Sequence, residues 1–263
     1  MPKFLRTALL ALTFFLPSSF SQADDLKGCF EDWPPYMHRS SNGQDLGPVI
    51  TIFKKLAEKT GQSFQLTNIP YAQCLDSVTQ GQHDFILGVS GEHDGILNTD
   101  LPVVFWNLVA LVRNDSSHQS YTDLSQFNDH IVLQESTFEY PEVIARWIID
   151  NNIKIKDFKY VDASAASNRQ PFEILKSQQA DVFFEDFGWL KSQMDIHHPD
   201  AKILTPAVAN DPDYIGFSKA NADNRNLFNS ALTEMFENGE LANIYQNEVG
   251  FDYMAAYQQT TAQ

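Results

Sequence analysis

From Leu26 to Val89 the chain alternates between short apolar runs and amphipathic stretches of helical period, and from Ile131 to Phe184 it does so again. This doubled order constrains the fold more than any other feature. In the first unit Leu26 to Phe30 is a short apolar segment, and Pro48 opens a helix with Val49, Ile50, Ile52, Phe53, Leu56 and Ala57 on one face. Lys54, Lys55, Glu58 and Lys59 take the other face, and Gly61 closes the helix. Phe64 to Ile69 alternates like a strand, Ala72 to Gln80 suits a second helix closed by Gly81, and Asp84 to Val89 has the content of a buried strand. Strand, helix, strand, helix, strand is the order of a parallel sheet with right-handed crossovers.

The second unit repeats that order. A strand from Leu108 to Arg113 and another at Ile131 to Gln134 precede a helix from about Tyr140 to Asp150, with Val143, Ile144, Trp147 and Ile148 inward and Ser136 or Thr137 as its cap. Phe158 to Val161 reads as a strand, Pro171 to Gln178 as a helix, and Ala180 to Phe184 as a buried strand ending in Glu185-Asp186. The fold class is therefore α/β with two lobes, each a wound, mostly parallel sheet flanked by helices. A strand at Tyr214 to Ser218 follows, then a helix at about Arg225 to Glu237 with Leu227, Phe228, Ala231, Leu232, Met235 and Phe236 inside, and another at Leu241 to Glu248. The division expected is residues 24–105 with 214–252 for lobe one, 106–213 for lobe two, and a flexible tail over 253–263.

Residues 1–23 stand apart from the fold. Lys3 and Arg6 precede an apolar segment from Ala8 to Leu16, and Ser21-Gln22-Ala23 places small residues for cleavage. This is the pattern of a secretory signal peptide cut near Ala23, too short in its apolar part to span a bilayer. Export to the periplasm is the expectation. Lipidation at Cys29 fits less well, because Lys27 and Asp24-Asp25 intervene between the apolar segment and the cysteine. The 34 acidic residues outnumber 18 basic ones, two of which lie in the leader, and such a charge repels nucleic acid and anionic membrane surfaces. Cys29 and Cys74 are the only cysteines. An even count in an oxidising compartment points to a disulfide, with two buried free thiols as the alternative. In a wound lobe Cys29 ends the first strand and Cys74 starts the second helix, so the two can meet.

Between Gln82 and Trp106 a buried strand empties into the loop Ser90-Gly91-Glu92-His93-Asp94. Loops at the carboxyl ends of such strands are where open α/β sheets place ligands. Gly88-Val89-Ser90-Gly91-Glu92 approaches a nucleophile elbow but has Glu92 where the final glycine belongs. The acidic pairs Glu31/Asp32 and Glu185/Asp186 suit acid–base work only if their environments split their titrations. His83, Asp84, Glu92, His93 and Asp94, and His197-His198 near Asp195 and Asp200, supply metal-ligating types without helical ligand spacing, so no metal is expected. No phosphate-cradling loop or dinucleotide fingerprint is present, and no cofactor is expected.

Several landmarks occur in a fixed order: Trp33-Pro34-Pro35-Tyr36, Gly47 and Gly61 around the first helix, Gly81 to Asp84, and Pro102. Glu135-Ser136-Thr137, the run Ala180 to Asp186, and Asn238-Gly239-Glu240-Leu241-Ala242-Asn243-Ile244-Tyr245 complete the series. From Leu26 to Gly250 the chain resembles the family 3 periplasmic solute-binding proteins of bacterial uptake systems, typified by polar amino acid receptors. The resemblance implies a type II periplasmic-binding-protein fold whose lobes close by hinge motion, joined near Val104 to Leu108 and near Ala209 to Tyr214. It implies a monomer serving the membrane permease of an ABC transporter or a membrane sensor. In its cleft Trp33 would stack on the ligand beside Tyr36, Thr137 and the helix terminus behind it would face an anionic group, and Asp186 would accept an ammonium.

One residue of the family pattern is missing. The family's carboxylate-binding arginine falls at His93 when read back from Pro102 and at Ile96 when counted from Asp84, and between Lys59 and Arg113 the only basic residues are His83 and His93. An imidazole is a poor substitute for a bidentate guanidinium. The expected ligand-binding set is therefore Trp33, Tyr36, Ser90, His93, Thr137 and Asp186. The expected solute is small and polar or cationic, not a standard α-amino acid held by its carboxylate. Signalling, or a dehydratase-like enzyme using Glu185 or His93, are the alternatives on the same scaffold.

Overall fold

A computed structural model describes residues 25–136, 138, 140–160 and 165–261. The expected signal peptide and Thr137 lie outside the described residues. In chain order the strands are β1 (Leu26–Phe30), β2 (His38–Arg39), β3 (Asp45–Leu46), β4 (Phe64–Asn68), β5 (Phe85–Ser90), β6 (Ile96–Asn98), β7 (Val104–Arg113), β8 (Ile131–Glu135), β9 (Lys154–Phe158), β10 (Val182–Asp186) and β11 (Ala201–Ser218). The helices are α1 (Pro48–Thr60), α2 (Tyr71–Thr79), α3 (Glu142–Asp150), α4 (Ala165–Lys176), α5 (Phe187–His197), α6 (Ala222–Glu237), α7 (Glu240–Val249) and α8 (Tyr253–Thr261). Among the described residues no helix is long and apolar enough to cross a membrane.

One sheet runs through the molecule in the order β4-β1-β5-β11-β7-β10-β8-β9, with β6 attached to β11. β1 pairs in parallel with β4 and β5, and β8 pairs in parallel with β9 and β10. Each expected wound unit is therefore present. The two are joined by β7 and β11, which pair antiparallel with each other and with their outer neighbours. The expected crossings are register partners: Val104 faces Asp213 and Leu108 faces Ala209.

Side chains sort by strand period. Leu108, Ala110 and Val112 of β7 share a cluster with Val182 and Phe184, while Val109 and Leu111 share another with Phe183, as alternate residues of a pleated strand must. On the other side of β11, α1, α6, α7 and α8 enclose a core in which Phe53 stacks on Phe85 at 4.3 Å and on Phe228 at 5.2 Å. Cys29 and Cys74 form a disulfide with Cα atoms 5.7 Å apart, and both are fully buried.

Several expectations shift. α3 starts at Glu142 after Pro141 with no side-chain cap, so Ser136 does not cap it, and Val143 is 51% exposed. Ile144 and Trp147 are buried and Ile148 packs against the same cluster, because a short helix presents one narrow face to the sheet. Leu227 on α6 is likewise outside, at 42% exposure. The strand expected at Phe158 to Val161 is β9, which ends at Phe158: a charged edge strand carries no apolar run to mark it. The helix expected from Pro171 begins at Ala165, with Pro171 inside it. The strand expected at Tyr214 to Ser218 is the end of the 18-residue β11, and α5 has no counterpart in the sequence reading. Finally, residues 253–261, expected as a flexible tail, form α8, because Tyr253 and Ala256 bury against the core.

Candidate functional site

Ser90 ends β5, and the chain turns back through Gly91, at φ +64°, and Gly95, at φ +94°, to enter β6. The Asn98 amide donates to the Gly91 carbonyl at 2.6 Å, and His93 Nε2 lies 2.8 Å from the Ser90 carbonyl, which can only accept. That contact places the proton on Nε2 and folds the imidazole over the end of β5. Ile96, the other position at which the family arginine could fall, is buried in the core beside the disulfide. Ser90 and His93, with Gly91 and Glu92, form one wall of a cavity of about 240 Å³, faced by Tyr140, Pro141 and Glu142 and lined also by Asp211. Of the expected ligand-binding residues, the structure brings these two together.

Trp33, Tyr36 and Asp186 lie elsewhere. Trp33 is half-buried and packs edge-on against Tyr36 with ring centres 5.0 Å apart. Tyr36, expected beside the ligand, is 2% exposed, because its ring is enclosed by Tyr245 and Phe251. Its hydroxyl donates to Asp186 Oδ2 at 3.3 Å. Asp186 is fully buried; it caps α5 by accepting from the Trp189 amide at 2.8 Å, and it accepts from the Asn107 amide at 3.2 Å. Burial outweighs these donors and pushes its carboxyl up to about 7.

Acidic groups gather behind the cavity. Glu185 is buried and pushed up to about 8, first by desolvation and further by Asp186, while the Asp186 amide and the Trp106 indole hydrogen-bond to it. Burial drives Asp213 well above the carboxylate range, with Asp211 and Asp186 adding repulsion, and raises Asp211 as well. Among the described residues no ion pair reaches Glu185, Asp186, Asp211 or Asp213. Aromatic rings cover this patch: Trp106 lies 5.5 Å from Tyr140 and 5.8 Å from Phe138, and Tyr160 lies 6.2 Å from Phe138. Trp106, Tyr140, Asp211 and Asp213 were not singled out by sequence; their one signal is the acidic pair Asp211 and Asp213 interrupting an otherwise apolar approach to Tyr214. Among the described residues no group of three or more histidine, cysteine or acidic side chains is arranged to hold a metal.

A family model, bacterial extracellular solute-binding proteins, family 3, matches residues 27–250. The chain belongs to that family. No curated protein is significantly similar to it. Its fold is the type II periplasmic-binding-protein fold. The family 3 protein is similar to a probable amino-acid ABC transporter extracellular-binding protein, ytmK, from Bacillus subtilis, at TM-score 0.72 and 16% identity over 88% of this chain and 100% of that one. It is also similar to a putative L-cystine ABC transporter from Listeria monocytogenes, at TM-score 0.66 and 18% identity over 87% and 97% of the two chains. A histidine kinase sensor domain with similarity to periplasmic binding proteins shares the fold at TM-score 0.67 and 14% identity, over 86% and 96%.

Proposed function

We propose that the mature protein is a periplasmic receptor that captures a small polar solute between its lobes and delivers it to the permease of an ABC-type uptake system. The lobes are residues 24–105 with 214–252 and residues 106–213, and the leader is removed near Ala23. The paired crossings of β7 and β11 serve as the hinge, and the receptor acts as a monomer. The observation that carries this reading is the cavity between Ser90–His93 and Tyr140–Glu142, on a chain of this family. Among the described residues its lining has no arginine or lysine, which supports a solute other than a standard α-amino acid gripped by its carboxylate. Titration calorimetry with the twenty standard amino acids tests this: no binding in the micromolar range is expected, and micromolar binding of several would overturn it. Sensing through a membrane partner is a second use of the same closure, favoured by the likeness to a kinase sensor domain. Capture of a permease, and not of a kinase, by the loaded receptor separates the two.

A further inference from the structure

We propose that the solute is an organic cation without a carboxylate, seated against Trp106 and Tyr140 with its charge directed at Glu185, Asp211 and Asp213. The proposal rests on the solute-capture reading and names the class of solute it requires.

The sheet itself assembles this wall. Asp213 is the register partner of Ser90 on β5, and Asp211 is the register partner of Trp106 on β7. Ser90, Asp211 and Tyr140 line the cavity. From Tyr140 the rings lead inward to Trp106, whose indole is hydrogen-bonded to Glu185. Aromatic faces next to carboxylates are the surface an ammonium or guanidinium recognises, through the ring quadrupole and the opposite charge together.

Two further observations point to an absent partner. Asp213 is 8% exposed, and its Oδ1 has no hydrogen-bond partner among the described residues. The Tyr160 hydroxyl, near enough to Glu185 to feel its charge, is also sealed from solvent and unpartnered among the described residues. Polar atoms buried this way are costly unless something completes them. Buried acids of one sign are tolerated either with a proton bound or beside a cation, and a cation seated against them would take the place of the protons they hold.

Asp186, to which the family resemblance gives the ammonium, is already engaged by the chain: it receives the Trp189 and Asn107 amides and the Tyr36 hydroxyl. The site is thus displaced from Asp186 to its neighbours on β10 and β11. A carboxylate on the solute would meet acidic groups and, among the described residues, no arginine or lysine in the cavity lining.

Thermal shift followed by calorimetry on the mature chain tests this with matched pairs: cadaverine against lysine, agmatine against arginine, choline against glycine betaine, with inositol and glucose as neutral solutes. At least one cation is expected to bind about tenfold or more tightly than its carboxylated partner. Glu185→Gln and Asp213→Asn, which keep the shape and remove the charge, should each weaken that cation about tenfold or more. Asp200→Asn, away from the cavity, should leave it unchanged. Binding of neutral or carboxylated solutes without the cations overturns the inference and leaves solute capture standing. Failure of every solute counts against both. Cation binding indifferent to Glu185→Gln and Asp213→Asn overturns the placement.

Discussion

The hydroxyl of Tyr36, in the loop after β1, donates to Asp186 at the end of β10, 150 residues away. Gly188 makes the approach possible, since a Cβ there would stand 2.7 Å from the Tyr36 oxygen and 3.1 Å from its Cζ. Tyr36→Phe removes the one side-chain donor among the Trp189, Asn107, Gly188 and Tyr36 hydrogen bonds to the buried Asp186 carboxyl and is expected to cost about 1–3 kcal/mol. For a chain of this size that is a fall in Tm of about 2–4 °C per kcal/mol. Gly188→Ala should be destabilising alone and cost less in the Tyr36→Phe background, where the oxygen it strikes is gone. A double-mutant cycle by thermal melts reads that coupling; additive effects would mean that the contact does not organise this junction.

Stability should fall from acid toward neutral pH. Glu185 moves from an ordinary carboxyl value to about 8, and Asp186 to about 7. Between the ordinary carboxyl range and these values the folded chain holds protons that the unfolded chain has released, so stability declines as pH rises and levels off above about 8. The benefit is complete only below the unfolded values near pH 4. Melting curves should therefore give a higher Tm at pH 5 than at pH 8. Glu185→Gln should flatten that difference and raise the Tm at pH 8. A Tm that rises from pH 5 to pH 8 would contradict the burial of these groups as unpaired acids.

The disulfide closes a loop with a sequence separation of 45 between β1 and α2. Replacing both cysteines by alanine should cost about 2–4 kcal/mol through the freedom restored to the unfolded chain. Because both sulfurs are fully buried, reductant should act no faster than the region opens. Alkylation after timed exposure to dithiothreitol measures that rate.

What could be read along the chain was local. The first unit was legible because α1 carries a clean apolar face between Pro48 and Gly61, and β5 is an unbroken apolar run. β9 was displaced because Lys154–Phe158 is charged and lies at the sheet edge. α5 escaped because only Trp189, Leu190 and Gln193 are buried, too few to set a period. The cavity wall at Ser90 and His93 followed from the rule that strand ends carry ligand loops. Its acidic backing did not, because Asp211 and Asp213 reach Trp106 and Ser90 only through pairing across more than a hundred residues of sequence. Tyr36 reads as a ligand-side aromatic beside Trp33 until its neighbours Tyr245 and Phe251, from the far end of the chain, are in place.

Those C-terminal residues hold the start of β7. The Tyr253 hydroxyl donates to the Pro102 carbonyl at 2.6 Å, and the Tyr245 hydroxyl donates to the Val103 carbonyl. Tyr253 is fully buried, with its ring 5.2 Å from Phe105 and 5.4 Å from Tyr245. Tyr253→Phe should lose little more than one hydrogen bond, about 1 kcal/mol. Tyr253→Ala opens a cavity and should cost about 3–5 kcal/mol, by analogy with other buried aromatics. Removing residues 253–263 strips the whole helix from α6, α7 and β7, so a larger loss is expected, read as a lower denaturant midpoint and earlier proteolysis near Pro102. A truncated chain as stable as the intact one would show that α8 is the loose tail its polar end suggests.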